Sequence, residues 1–186
     1  MYNIPLDILE RAAGGDAAAF EEIYKAASSF VYNVALGITR NSSDAEEVTQ
    51  DVFMKIHRNL KKFSFRSTFN TWAYRITVNS AINRYHHSSK DKKTKAQYDE
   101  AKKEVSCEPA IEKMADCEAN ETALNRLLDI LNPEQRACIV LRELQDLSYK
   151  DIANALAIPI NTVRTRLKRA REALLAKARE EGTYAV

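Results

Sequence analysis

In the segment SYKDIANALAIPINTVRTRLKRAR (148–171), Arg164, Thr165, Lys168 and Arg169 are spaced to share one side of a helix. Val163, Leu167, Ala170 and Leu174, at i, i+4, i+7 and i+11, form an apolar stripe elsewhere on it. A helix buried along one side and offering guanidinium, ammonium and hydroxyl groups along the other suits the major groove of duplex DNA. Ile152, Ala153 and Leu156 mark a preceding helix, which Ala157-Ile158-Pro159-Ile160 interrupts, because Pro159 cannot continue it comfortably. Asn161 or Thr162 is placed to cap the second helix. The pattern is a helix-turn-helix. Its turn carries Ala157 where glycine is common, and a left-handed backbone there would cost alanine free energy. A basic amphipathic helix can also be a plain solvated face. The break, the small Ala153 and the Val163 anchor together favour the DNA-reading arrangement.

A second group of candidates lies in KKFSFRSTFNTWAYRITVNSAINRYH (61–86), where aromatic side chains alternate with basic and amide ones. Such a mixture holds single-stranded DNA: bases stack on aromatic surfaces while cations follow the phosphates. At helical spacing Tyr74, Val78, Ala81, Ile82 and Tyr85 make an apolar arc, and Trp72, Arg75, Ile76, Asn79 and Asn83 make a mixed one. Asparagine is a mediocre helix former, but its amide both donates and accepts and can read a base edge. Phe63, Phe65, Phe69 and Trp72 fit a packed core as readily as a stacking surface.

In DAEEVTQDVFMKIHR (44–58), Asp44, Glu47 and Asp51 share a face opposite Val48, Val52 and Ile56. That face is either solvated or a docking surface for a basic partner, and the residues alone do not choose. His57, His86 and His87 have no Cys or carboxylate at ligand spacing, so no metal site or other cofactor is expected. There is no glycine-rich phosphate loop, nucleophile elbow or acid–base pair that would indicate an enzyme.

The elements that must position these groups read as helices throughout. Leu6, Leu9 and Ala13 suggest a short first helix ended by Gly14-Gly15, and Asp16 caps the next, striped by Phe20, Ile23, Ala27, Val31, Val34 and Ile38. Asn41-Ser42-Ser43-Asp44 marks a break, after which Val48, Val52, Phe53, Ile56 and Leu60 resume the stripe. A further helix is expected from about Thr68 to Tyr85. Residues 88–106 are nearly devoid of large apolar side chains and read as a flexible linker. Leu124, Leu127, Leu128 and Leu131 belong to a packed helix, and Asn132-Pro133-Glu134 begins another. The expectation is an all-α chain of two small domains, 1–88 and 119–186, joined by a polar linker over 89–118.

The 186 residues suit one or two small domains. The net charge of +2 hides blocks of −5 (1–56), +9 (57–95), −6 (96–157) and +4 (158–186). Two basic blocks separated by acidic ones suggest two nucleic-acid contacts, each attached to a surface that could meet another protein. No apolar run approaches a membrane span and no secretory signal is visible. Cys107, Cys117 and Cys138 are odd in number and lack redox or metal spacing, as expected of free thiols in the cytoplasm.

Taken together, DAEEVTQDVFMKIHRNLKKF, STFNTWAYRITVNSAINRY and LNPEQRACIVLRELQDLSYKDIANALAIPINTVRTRLKRAREAL resemble the extracytoplasmic-function class of bacterial RNA polymerase sigma factors, over nearly the whole chain. The resemblance implies a non-enzymatic promoter-specificity subunit. Its N-terminal domain would melt and read the minus-ten element, with Phe63, Phe65, Arg66 and Phe69 on the base-capturing loop and Trp72, Arg75, Asn79 and Asn83 on the following helix. Its C-terminal domain would read the minus-thirty-five duplex through Thr162, Arg164, Thr165, Lys168 and Arg169. Asp44, Glu47, Gln50 and Asp51 would meet the β′ clamp helices of core polymerase, the β subunit would be a further contact, and an anti-sigma factor would cover these surfaces. The loop departs from the family's FRG-type turn at Ser64-Phe65-Arg66, so its shape and base preference are open. A self-contained regulator using only the C-terminal motif, or a nucleic-acid enzyme, explains less of the chain.

Overall fold

The computed structural model describes residues 4–63, 67–99 and 128–180. Every regular element among them is helical. Helix α1 (Leu6–Gly14) ends where Gly15 turns left-handed at φ 100°. Asp16 then caps α2 (Ala17–Thr39) by accepting the Ala18 and Ala19 N–H groups. Those amides, Ala19 foremost, and the Arg11 guanidinium 2.6 Å away hold the Asp16 carboxyl below its usual range. The Asn41 side chain caps α3 (Ser42–Asn59) through the Asp44 N–H, and a 3-10 turn, Leu60–Lys62, follows.

Helices α2, α3 and α4 (Phe69–Asp99) pack mutually around Ile23, Val31, Val52, Ile56 and Val78, all buried. The expected stop of α4 near Tyr85 is corrected: the helix continues to Asp99, into the segment assigned to the linker. Residues 86–99 contain neither Pro nor Gly, and their Lys, Ala and Gln favour helix without needing a core. The rest of the assigned linker, 100–118, lies outside the described residues.

The described part of the second group opens with Leu128 and Leu131, both buried; Leu124 and Leu127 of the expected packed helix lie outside the described residues. The Asn132 and Gln135 side chains then form a capping box ahead of α5 (Pro133–Ile139), with Pro133 in the first turn. A π turn, Val140–Leu144, extends α5. Ser148 caps α6 (Tyr149–Leu156) through the Asp151 N–H, and α6 ends at Ala157 in left-handed geometry, φ 54° and ψ 43°. Helix α7 runs Ile160–Glu180. It starts earlier than the expected caps at Asn161 or Thr162. Proline's fixed φ is compatible with a helix start, and the Pro159 carbonyl accepts the Thr162 and Val163 N–H groups.

The two groups touch directly. Helix α5 packs on α2 and α4, and α6 packs on α4, so one hydrophobic core runs through both. Arg136 of α5 is fully buried at this junction. Its Nη1 donates to the Ile38 carbonyl at 2.7 Å, and Nε and Nη2 donate to the Leu128 and Leu131 carbonyls at 3.0 Å. Its guanidinium also lies 4.9 Å from the Tyr85 ring centroid.

Candidate nucleic-acid interface

The helix-turn-helix assembles as its stripe requires. Val163, Leu167 and Ala170 are buried, which turns Arg164, Thr165, Lys168 and Arg169 outward, all exposed. Thr162 is half-buried at the start of the helix. Asn161 is not a cap; its Oδ1 accepts from Arg164 Nη1 at 3.1 Å and its carbonyl accepts from Thr165 Oγ1 at 2.9 Å. These two bonds order the first turn of the helix. Lys168 is 3.8 Å from Glu172, a loose exposed pair that a phosphate could displace.

The aromatic group on α4 divides. Phe69 is buried and belongs to the core. Phe63 and Trp72 are half-buried and stacked, centroids 4.9 Å apart and planes 28° apart, with Phe69 set edge-on to both. This gives a shelf with a rigid backing. Arg75, Asn79 and Asn83 are exposed at successive turns of α4 and continue it. Phe65 and Arg66 lie outside the described residues. The shelf opens into a cleft of about 540 Å³, with Phe63, Thr71, Trp72 and Arg75 on one wall and Asp151 and Asn154 of α6 on the other. Arg75 crosses it: Nη2 donates to the Asn154 carbonyl at 2.6 Å and Nε to that of Ala155 at 3.4 Å.

The acidic face of α3 is less uniform than its spacing predicts. Asp44 is buried, accepting from Arg84 Nε at 2.7 Å, so it faces α4 rather than a partner. The reason is tertiary: α4 packs over the first turn of α3 and brings Arg84 there. Arg84 Nη1 also reaches exposed Glu47 at 2.6 Å. Asp51 pairs with Lys55 at 2.6 Å, and Lys55 Nζ donates to Ser80 Oγ. Gln50 is exposed beside a groove lined by Tyr24, Tyr32, Glu46 and Thr49. Sequence reasoning missed Arg84, Arg136 and the α6 wall. Their partners lie 37 or more positions away for Arg84, and 98 for the Arg136–Ile38 bond, so no local spacing could reveal them.

Among the described residues no group of three His, Cys, Asp or Glu side chains could hold a metal ion, and no helix is long and apolar enough to cross a membrane.

Two family matches fall on these two sites. Residues 23–90, comprising most of α2, α3 and the α4 shelf, match Sigma-70 region 2, and residues 121–174, carrying the helix-turn-helix, match Sigma-70, region 4. That defines the class: a sigma-70-type factor of transcription initiation. The chain is 36% identical over 178 residues to the ECF RNA polymerase sigma-E factor of Escherichia coli, covering 90% of each. It is 30% identical over 176 residues to the RNA polymerase sigma-H factor of Pseudomonas aeruginosa, again covering 90% of each. The chain therefore belongs to the extracytoplasmic-function family of RNA polymerase sigma factors. Its fold is similar to that of CnrH, solved in complex with the cytosolic domain of CnrY (TM-score 0.70, 20% identity, 93% of this chain and 96% of that one). It is also similar to RpoE in complex with the anti-sigma factor NepR from Bartonella quintana (TM-score 0.60, 22% identity, 83% and 93%).

Proposed function

We propose that this sigma factor directs core RNA polymerase to promoters through two readers. The α4 shelf (Phe63, Trp72, Arg75, Asn79, Asn83), with Phe65 and Arg66 from the segment preceding it in the chain, takes the opened minus-ten strand. The outward face of α7 (Thr162, Arg164, Thr165, Lys168, Arg169) reads the minus-thirty-five duplex. The observation that carries this is the coexistence, in one chain, of a stacking shelf continued by exposed amides and a separate basic helix anchored by a buried stripe. Duplex reading needs only the second; strand capture needs the first. Phe69 backs the shelf from the core.

Core polymerase would dock on α3 and the groove it forms with α2, through Glu47, Gln50 and Asp51. Asp44 contributes by fixing Arg84 and hence the relation of α3 to α4. An anti-sigma factor is the expected antagonist, because the solved proteins of similar fold include complexes of that kind. A factor that acts on core polymerase and promoter DNA would work in the cytoplasm. The domain division, 1–88 and 119–186, follows the two readers, with α4 carrying the first beyond residue 88.

The test is addition of the purified chain to core polymerase. Comigration, together with transcription from a promoter selected by the assembled enzyme, is the expected result. Duplex binding without association with core would leave a self-contained regulator as the correct reading.

A further inference from the structure

The turn that leads into α7 carries two isoleucines with opposite fates. Ile158 packs against the core. Ile160, the first residue of α7, is a large apolar side chain left 38% exposed. Pro159 between them is exposed as well. Ile160 and Arg164 are four residues apart, so they are neighbours on one side of α7, and Lys168 follows a turn later. The polar side chains beside Ile160 are already arranged. Asn161 Oδ1 accepts from Arg164 Nη1 at 3.1 Å, and the Asn161 carbonyl accepts from Thr165 Oγ1 at 2.9 Å. With Oδ1 engaged, the Asn161 amide turns its donors outward, and Arg164 keeps Nε and Nη2 as donors. The start of α7 therefore presents hydrogen-bond donors beside one branched apolar group.

We infer that Ile160 is a specificity-determining residue of the duplex reader, and that it selects a thymine by packing on the C5 methyl group in the major groove. The inference deepens the proposed minus-thirty-five reading of α7 and rests on it. The thymine methyl is the apolar group in the pattern of edges that base pairs show in the major groove. Thymine also offers its O4 acceptor there, which suits the donors of Asn161 and Arg164. Cytosine fails on both counts: it lacks the methyl, and its N4 amino group is a donor facing donors. The basic side chains of Arg164, Lys168 and Arg169, all exposed, attract the phosphates and bring this end of α7 into the groove. Ile160 and the methyl then leave water together, and that burial favours the thymine.

The test uses the full chain assembled with core polymerase and a promoter that the assembled enzyme selects. Each thymine of the upstream element is replaced singly by deoxyuridine, which pairs identically and lacks only the methyl. Binding of each duplex is then measured in competition with its thymine parent. The wild-type enzyme should lose affinity at one thymine by about fourfold, the ratio for a single buried carbon. Ile160→Ala should bind the thymine and deoxyuridine duplexes equally at that position. Ile160→Val, which removes one carbon and keeps the branch, should show a reduced ratio, and it carries the test if Ile160→Ala does not fold. Each ratio is taken within one protein, so a general loss of affinity or stability in a variant cancels. An undiminished ratio in the variant overturns the inference, as does a wild-type enzyme indifferent to every methyl in the element. Failure of duplex reading by α7 itself looks different: exchanging the whole upstream element for unrelated sequence would leave wild-type binding unchanged.

Discussion

Ala157 is the residue at which local strain is most legible. It ends α6 with φ 54°, in the left-handed region that alanine enters at a cost of roughly 1–2 kcal/mol. It is solvent-exposed, so removing its methyl opens no cavity. Ala157→Gly is expected to stabilise the protein by about 1 kcal/mol, less than the full strain because glycine gains freedom in the unfolded chain. A rise in the thermal midpoint checks this, and a fall would mean that the turn is held by something other than its backbone geometry. Cys138 is a contrasting case. It is fully buried, and burial pushes its thiol up to about 11 despite the nearby Arg166. A raised thiol pKa favours the folded protein while the group is protonated. That contribution is full below the ordinary thiol pKa and is lost as pH rises from there through about 11. At about pH 8, Cys138 should resist iodoacetamide in the native protein and react once it is denatured, as peptide mapping would show. Alkylation of the native thiol at the denatured rate would contradict its burial.

Among elements, α4 and α7 carry the two proposed reading surfaces. On α7 the side chains expected to touch DNA are held outward by Val163 and Leu167, so their removal should spare the fold. Arg164→Ala and Lys168→Ala should each weaken promoter binding: by about 1–3 kcal/mol with locally relaxed specificity for a base-edge contact, or mainly through a shallower salt dependence for a phosphate contact. Normal transcription by both variants from a promoter that needs its minus-thirty-five element would remove α7 from the reading surface. On α4, Asn79 is exposed one turn beyond Arg75. Asn79→Ala should change base preference on single-stranded minus-ten DNA without affecting duplex binding by α7. Identical preferences in variant and parent would return Asn79 to a structural role. Helix α3 shows how an element's face is redefined by its neighbour: spacing alone puts Asp44 with Glu47 and Asp51, but Arg84 on α4 draws Asp44 inward.

At the scale of the whole molecule, the unusual component is Arg136. A fully buried guanidinium is tolerated because three carbonyls and the Tyr85 ring receive it, two of those carbonyls from its own domain and one from α2. Arg136→Met fills similar space but leaves those carbonyls without their donor. It should lower unfolding stability by about 1.5–3 kcal/mol, the range for hydrogen bonds to a charged group. A denaturant midpoint unchanged from wild type would show that water replaces the guanidinium at no cost.

The sequence by itself determined most of the described helices and the helix-turn-helix. These depend on apolar periodicity and on caps such as Asp16, Asn41, Asn132 and Ser148, whose partners sit two or three residues away. Its misses have a common physical cause. The start of α7 and the end of α4 moved because neither proline at a helix start nor a polar run rich in Lys and Ala stops a helix. Only the tertiary structure decided which aromatics are core and which form a shelf, that Asp44 turns inward, and that the two domains close on each other. Burial and long-range pairing are set by what packs from elsewhere in the chain. Arg75 and Arg136 are ordinary basic residues in the sequence, and they become a reciprocal pair only when each finds the carbonyl end of a helix in the other domain.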